Sequence, residues 1–193
     1  MNLGRLPARA AALLLTIALA ACSSPSPNLY TIATIPGPVA SRPAPKVIVL
    51  RDISLARYLD RIQIVRSSEN FRLGVEANDW WGEPLAQMLS RVLVQELNQR
   101  LPGSSVYAES GAVTTRPDAT IELNIQRLDE DAGGSVVLLA QADVARTGKP
   151  GSTTQSISLK APPAGTDVGS EVAAISVAVG QLADILATML QAR

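Results

Sequence analysis

From Lys46 onward the chain alternates between apolar and polar positions in a regular way. "KVIVL" (46–50) is a short β-branched run, while "RIQIVR" (61–66) and "NFRLGV" (70–75) alternate on either side of the polar turn 67–70. The pattern predicts three strands, the last two forming a hairpin. Pro84 suits a first helical turn, and Leu85, Leu89, Val92, Leu93, Leu97 and Leu101 recur on one face until Pro102-Gly103 breaks the run, which predicts a helix over 83–101. A short "SVYAE" follows, then "ATIELNIQRLD" (119–129), "SVVLLAQADVAR" (135–146) and "TTQSISLK" (153–160), separated by the turns "EDAGG" and "TGKPGS". These predict an antiparallel meander. Val168, Val172, Ile175, Val179, Leu182, Leu186 and Met189, spaced by three and four, then predict a closing amphipathic helix.

Each helix offers a single apolar stripe, so the natural packing over 47–193 is an α+β domain: one mostly antiparallel sheet with two amphipathic helices on one face. The stripe of the last helix spans about three heptads, and the sheet is a better partner for it than a coiled coil. The other sheet face has to be polar or covered by something else.

Ahead of this domain the pattern changes twice. Residues 1–21 place Arg5 and Arg9 before an apolar stretch that ends in Ala20-Ala21, the layout of a secretory signal and short for a membrane span. Leu19-Ala20-Ala21-Cys22 resembles the bacterial lipobox, in which the cysteine takes an S-diacylglycerol and, after cleavage, an N-acyl chain. An ordinary cleaved signal beside an incidental cysteine is the plainer alternative, but Cys22 is the only cysteine and stands where that chemistry requires it. Several acyl chains exceed the one-chain threshold of marginal membrane binding, so such a protein is firmly anchored. Ser23, in place of Asp after the cysteine, implies sorting to the periplasmic face of the outer membrane by the rule for such lipoproteins. Residues 22–46 carry six of the 13 prolines and read as a semi-extended tether. Within it "NLYTI" (28–32) alternates enough to add as an edge strand, or is a scatter of apolar residues in a linker.

Composition removes whole classes of function. Lys plus Arg equals Asp plus Glu, which leaves no electrostatic footprint for nucleic acid. No histidine occurs, excluding Ser-His-Asp and Cys-His catalysis and imidazole metal sites, and no phosphate-binding or dinucleotide fingerprint is present. Asp129-Glu130-Asp131 lacks the spacing of a calcium loop and reads as a solvated hairpin turn, and Glu76 with Asp79 is an unremarkable carboxylate pair among 17 acidic residues. No catalytic residue, metal ligand or cofactor is expected beyond the lipid on Cys22.

The stretch Tyr58-Leu59-Asp60-Arg61, the hairpin through Asn70, and Trp81 before Glu83-Pro84-Leu85 resembles the core motif of the ABC-type transport auxiliary lipoprotein family, the PqiC-like lipoproteins. The likeness covers essentially the chain after Cys22. It departs in two places: Ile62 stands where a proline is usual, and two tryptophans stand where one is. The resemblance implies a non-enzymatic auxiliary component of an intermembrane lipid transport system. Its partners are then a mammalian-cell-entry (MCE) domain protein and inner-membrane permease components. It leaves a homo-oligomer open, and it makes Tyr58, Arg61, Trp80, Trp81 and Glu83 the candidate partner-binding residues. A piloting lipoprotein for another outer-membrane machine and a lipid-binding protein or hydrolytic enzyme are the competing classes. If Trp80 and Trp81 enter the helix, their side chains point about 100° apart and cannot share one core. The family's position favours Trp81 as the packed one and Trp80 as the surface anchor; the alternative is that both lie flat against the domain as cover for a loop. Arg57, Arg61, Arg66 and Arg72 crowd the same stretch, where salt bridging is the plain role for most of them.

Overall fold

The computed structural model describes residues 26–110 and 115–191. The expected signal segment 1–21, Cys22 and the first residues of the expected tether lie outside them. Among the described residues, nine strands and two helices make one α+β unit. They are β1 (Asn28–Tyr30), β2 (Val47–Leu50), β3 (Ser54–Leu55), β4 (Gln63–Ser67), β5 (Gly74–Trp81), α1 (Leu85–Arg100), β6 (Ser105–Ala108), β7 (Ala119–Glu130), β8 (Val136–Arg146), β9 (Ser152–Ala161) and α2 (Val168–Gln191).

All nine strands join one mixed sheet around β7. On one side β7, β8 and β9 form the expected antiparallel meander, paired along nearly their whole length. On the other side three short strands share the edge of β7 in succession, each parallel to it: β2 at its start, β3 in the middle and β4 at its end. β6 extends the sheet beyond β2, and β5 then β1 extend it beyond β4. The parallel pairings arise because β2, β3 and β4 each reach β7 from a distant part of the chain, which no run of short hairpins provides for.

Both helices lie on one face. α2 packs on β7, β8 and β9, and α1 packs on α2 and β6. Ile48, Leu50, Ile121, Ile125, Leu138 and Ala140 meet Leu89, Leu93, Val179, Leu182 and Leu186 in a core where each is at most 2% exposed. At about 25 cal/mol per Å² of apolar surface, this burial is the main stabilising term. α2 is long and apolar enough to cross a membrane, but most of it is buried against the sheet and α1. The opposite face of the meander is polar, carrying Glu122, Gln126, Gln141, Thr154, Ser156 and Ser158.

The segment expected as a tether is, from Asn28 on, part of the domain. β1 adds parallel to β5, and residues 31–42 cross both helices as a strap. Ile32 is 2% exposed. The strap satisfies its backbone on side chains beneath it: Ala33 N–H donates to Ser176 Oγ (3.1 Å), Ile35 N–H to Glu96 Oε1 (2.7 Å), Gly37 N–H to Gln99 Oε1 (3.1 Å) and Arg42 N–H to Gln191 Oε1 (3.1 Å). Arg100, 1% exposed, is the pin beneath the strap. Its Nε donates to Asp184 Oδ1 (2.6 Å), its Nη2 to the Gly180 carbonyl (3.0 Å) and its Nη1 to the Glu96 carbonyl (3.3 Å). A Cβ on Gly37 would lie 2.3 Å from Nη2, so only glycine lets the strap pass over the guanidinium. Prolines 36, 38, 43 and 45 suit such a path, since they have no N–H to leave unpaired.

One residue sets the electrostatics of the far end of β7. The pairing with β8 shifts at Gln126, a β-bulge that reverses the inward and outward parity of the strand. Past it Leu128 and Glu130 turn toward the helices, and Arg127 and Asp129 turn to the opposite face. On the helix side Arg66 Nε lies 3.2 Å from Glu171 Oε2 and Arg66 Nη2 lies 3.2 Å from Glu130, with Glu76 at 3.7 Å. Glu171, in the first turn of α2, is wholly buried. Burial, then the neighbouring Glu130, pushes its carboxyl up to about 8, with Arg66 pulling the other way and Glu76 and Asp129 adding to the rise.

The sign of the pH dependence follows. The folded chain holds a proton on Glu171 that the unfolded chain releases above its ordinary value of 4.5, so this site disfavours the fold increasingly as pH rises from there to about 8. Thermal melting followed by circular dichroism should show Tm falling across that window, and Glu171→Gln should flatten the fall and melt higher at pH 8. A variant that keeps the full slope would show that another group carries it.

Candidate functional site

The motif residues meet at one end of β5. Trp80 and Trp81 are the last two residues of that strand, not the entry to a helix, and alternation along the strand sends their side chains to opposite faces. Trp81 is 5% exposed and joins the core. Trp80 is half-buried on the other face, its Nε1–H donating to the Ala77 carbonyl (3.1 Å). The expectation that one tryptophan packs and one does not therefore has a different geometric cause from the helical offset. The predicted hairpin is also displaced: β5 runs from Gly74 to Trp81, and its register against β4 shifts twice. Pairing with β1 carries the strand beyond the apolar run that suggested it.

Trp81 N–H donates to the Ile62 carbonyl (2.8 Å), and Gly82 N–H to the Tyr30 carbonyl (2.8 Å), which ties the loop before β4 to the end of β5. Between them opens a groove of about 370 Å³ lined by Asp60, Arg61, Ile62, Trp81, Glu83 and Pro84. Arg61 is exposed on its rim and Ile62 is 51% exposed beside it. Pro84 ends the groove as the N-cap of α1, and its carbonyl accepts from the amides of Gln87 and Met88 (both 3.0 Å). Glu83 is ion-paired to Arg91, whose Nη2 also reaches Thr31 Oγ1 (3.3 Å). Glu83 thereby holds the start of α1 against the strap.

Tyr58 stands two residues before the groove and anchors the loop that leads into it. Its hydroxyl donates to Asp129 Oδ2 (2.6 Å) while Leu59, 3% exposed, plugs into the core. The loop is stapled to β7 by the Ala56 N–H to Ile125 carbonyl bond (2.9 Å). Burial, reinforced by the Asp129 carboxylate, pushes the Tyr58 phenol well above its ordinary range, so it stays a donor. Asp129 is the correction to the reading of 129–131 as a solvated turn. It is fully buried, accepting from Tyr58, Arg127 Nε (2.9 Å) and Ser68 Oγ (3.2 Å). Arg127 Nη2 reaches on to Glu69 Oε1 (2.7 Å). The chain turns only at Asp131–Gly134. A buried carboxylate with three donors is compensated, which fits a structural part.

The site thus brings together Arg61, Trp81 and Glu83, leaves Tyr58 outside the groove as an anchor of the preceding loop on Asp129, and puts Trp80 on the far side of the same strand. Sequence reasoning missed Ile62 and Gly82 as groove residues and the Arg127–Asp129 pair as the brace. Ile62 carried a signal, standing where proline is usual. The brace depends on a bulge that no glycine marks. Among the described residues no group of three or more His, Cys, Asp or Glu is placed to hold a metal.

The family model for the ABC-type transport auxiliary lipoprotein component matches residues 30–187, from the end of β1 into the last turns of α2. No curated protein matches the chain. Among solved structures, a protein from Xanthomonas campestris of the DUF330 family superposes with a TM-score of 0.70 at 18% identity, covering 85% of this chain and 96% of that one. An uncharacterized protein does so at 0.70 and 16% identity, covering 85% and 98%. A PelC dodecamer from Paraburkholderia phytofirmans matches at only 0.44 and 11% identity, covering 84% and 100%, too loosely to carry an argument. By the match over residues 30–187, this chain belongs to the ABC-type transport auxiliary lipoprotein family.

Proposed function

We propose that this protein is a non-enzymatic auxiliary lipoprotein of an MCE-type intermembrane lipid transport system. It is anchored through acyl chains on Cys22 to the periplasmic face of the outer membrane, and it docks the MCE protein that reaches across from the inner-membrane permease. One observation carries the docking half of this reading: the family-motif residues on either side of β4 and β5 converge on one open groove with an arginine on its rim and an exposed isoleucine beside a buried tryptophan. An apolar floor with an Arg rim is the composition of an interface anchor site. Family membership supports the transport role, and the lipobox resemblance at Cys22 supports the anchor. The space between sheet and helices is filled by side chains, which favours docking over a lipid-carrying interior.

Two measurements test the reading separately. Cys22→Ala should leave an unprocessed or mislocalised chain, seen by membrane fractionation and by mass spectrometry of the N-terminal peptide; normally processed protein in the outer membrane would refute the anchor. For the docking surface, Ile62→Glu should weaken capture of the MCE partner by about 30-fold, or ~2 kcal/mol, at an unchanged Tm. Trp81→Ala should instead cost about 3–5 kcal/mol of stability. Binding lost in Trp80→Ala but kept in Ile62→Glu would move the docking surface to the opposite face of β5.

A further inference from the structure

The hairpin joining β4 to β5 presents the chain's only phenylalanine to solvent. Phe71 is fully exposed, and Leu73 and Val75 follow at 46% and 37% exposed. The tip is held rather than loose: Glu69 N–H donates to Ser67 Oγ (3.2 Å), Arg72 N–H to the Glu69 carbonyl (3.1 Å), and the Glu69 carboxylate is gripped by Arg127. Asn70 and Phe71 have φ values of 54° and 62°. A bulky residue in that left-handed region is strained, and such strain persists only where the surroundings impose it. Here they impose it on a residue that buries nothing.

The course of the N-terminal chain gives this tip a setting. β1 runs parallel to β5, with Asn28 beside Asp79 and Tyr30 beside Trp81. Followed backward from Asn28, the chain therefore heads along β5 toward Gly74 and the hairpin tip, and the Ser26 carbonyl already accepts from Asn78 Nδ2 (3.3 Å). Cys22 stands six positions before Asn28, a reach of at most about 20 Å. Because the strap has absorbed residues 31–42, the leash is this short stretch and not the whole of 22–46. The tip lies at the Gly74 end of β5 and the groove at the Trp81 end, about 23 Å away along the strand.

We infer that the 68–73 hairpin tip is a second membrane contact, in which Phe71 and Leu73 seat in the interface of the same bilayer that holds the acyl chains of Cys22. Arg72, which is exposed and makes no ion pair among the described residues, faces the lipid phosphates. Two signals hold an orientation that one flexible anchor does not. The consequence is directional: with the tip down, β5 stands off the membrane and carries the groove to its far end, facing a partner that arrives from across the periplasm. This inference rests on the lipoprotein reading of Cys22, and its test separates the two.

The full-length lipoprotein is purified from membranes, its N-terminal peptide checked by mass spectrometry, and reconstituted into phosphatidylethanolamine–phosphatidylglycerol vesicles. Phe71→Cys and Gln87→Cys, the latter exposed on α1 at the groove end, each accept one polarity-sensitive fluorophore, because an acylated Cys22 has no free thiol. Failure to float with the vesicles, or a label on Cys22 itself, would sink the lipoprotein reading. In vesicles that carry the protein, lipids brominated on their acyl chains should quench the label at 71 by on the order of half and leave the label at 87 almost untouched. Equal absence of quenching at both positions overturns the membrane contact. So does a signal at 71 that follows protein density instead of brominated lipid, which would mean that the tip seats in a second copy.

Discussion

The Arg100 guanidinium, 1% exposed, bridges α1 to α2 through Asp184 and the Gly180 carbonyl, and the backbone of the strap crosses directly above it. A buried charge left unpaired would cost several kcal/mol, so this one has to be met by acceptors in fixed positions. Meeting them brings the C-terminal end of α1 and the middle of α2 into one register. The strap follows from the same constraint. Gly37 passes over the guanidinium because it has no side chain, Ile35 packs where Gly180 has none, and Glu96 takes the Ile35 amide. Burial pushes the Glu96 carboxyl up, with the amide and Arg100 opposing the shift. Where the chain crosses the helices and where β1 meets β5 both descend from this pin.

At the other end of the sheet, the single extra residue at Gln126 does comparable work. By reversing the parity of β7 it supplies Glu130 to the helix side, where Arg66 and the buried Glu171 hold the start of α2. It also supplies Asp129 to the opposite side, where Tyr58 closes the loop over the sheet. Both ends of β5 are braced in this way. The hairpin tip is held through Glu69 and Arg127, and the groove through Tyr58, Leu59 and the Ile62 carbonyl. A groove whose walls come from two loops is useful to a partner only if those loops stay put.

The regular elements were legible because each buries one face. The stripes of Leu85 to Leu101 and Val168 to Met189 and the alternation of Ile121, Leu123 and Ile125 record the core directly, and the structure places all of these in the core except the half-buried Val168, which packs against it. What escaped the pattern lacks that one-sided burial. "GVEANDWW" shows no clean alternation because much of β5 is exposed, and it is a strand because β1 pairs with it from 51 residues away, as in the Asn28–Asp79 contact. In the sequence the strap resembles a tether because its prolines and isolated apolar residues carry no period. It is held by its own amides on glutamate, glutamine and serine side chains, an arrangement with no local signature. The brace at Asp129 was hidden for the same kind of reason, since a bulge is visible only once the partner strand is known. The groove was partly legible, because the family motif named its walls, but Ile62 entered it only with the geometry.

Residues 31–42 are part of the folded domain, and the proposed short reach to an anchor at Cys22 and the proposed direction of the groove depend on this. Hydrogen–deuterium exchange of the full-length protein tests it directly, read at the amides of Ala33, Ile35, Gly37 and Ala40, which donate to Ser176, Glu96, Gln99 and the Arg100 carbonyl. Protection of these amides comparable to that of α1 and α2 is the predicted result. Exchange at the rate of a free proline-rich linker would contradict it, and with it the short leash and the orientation built on it.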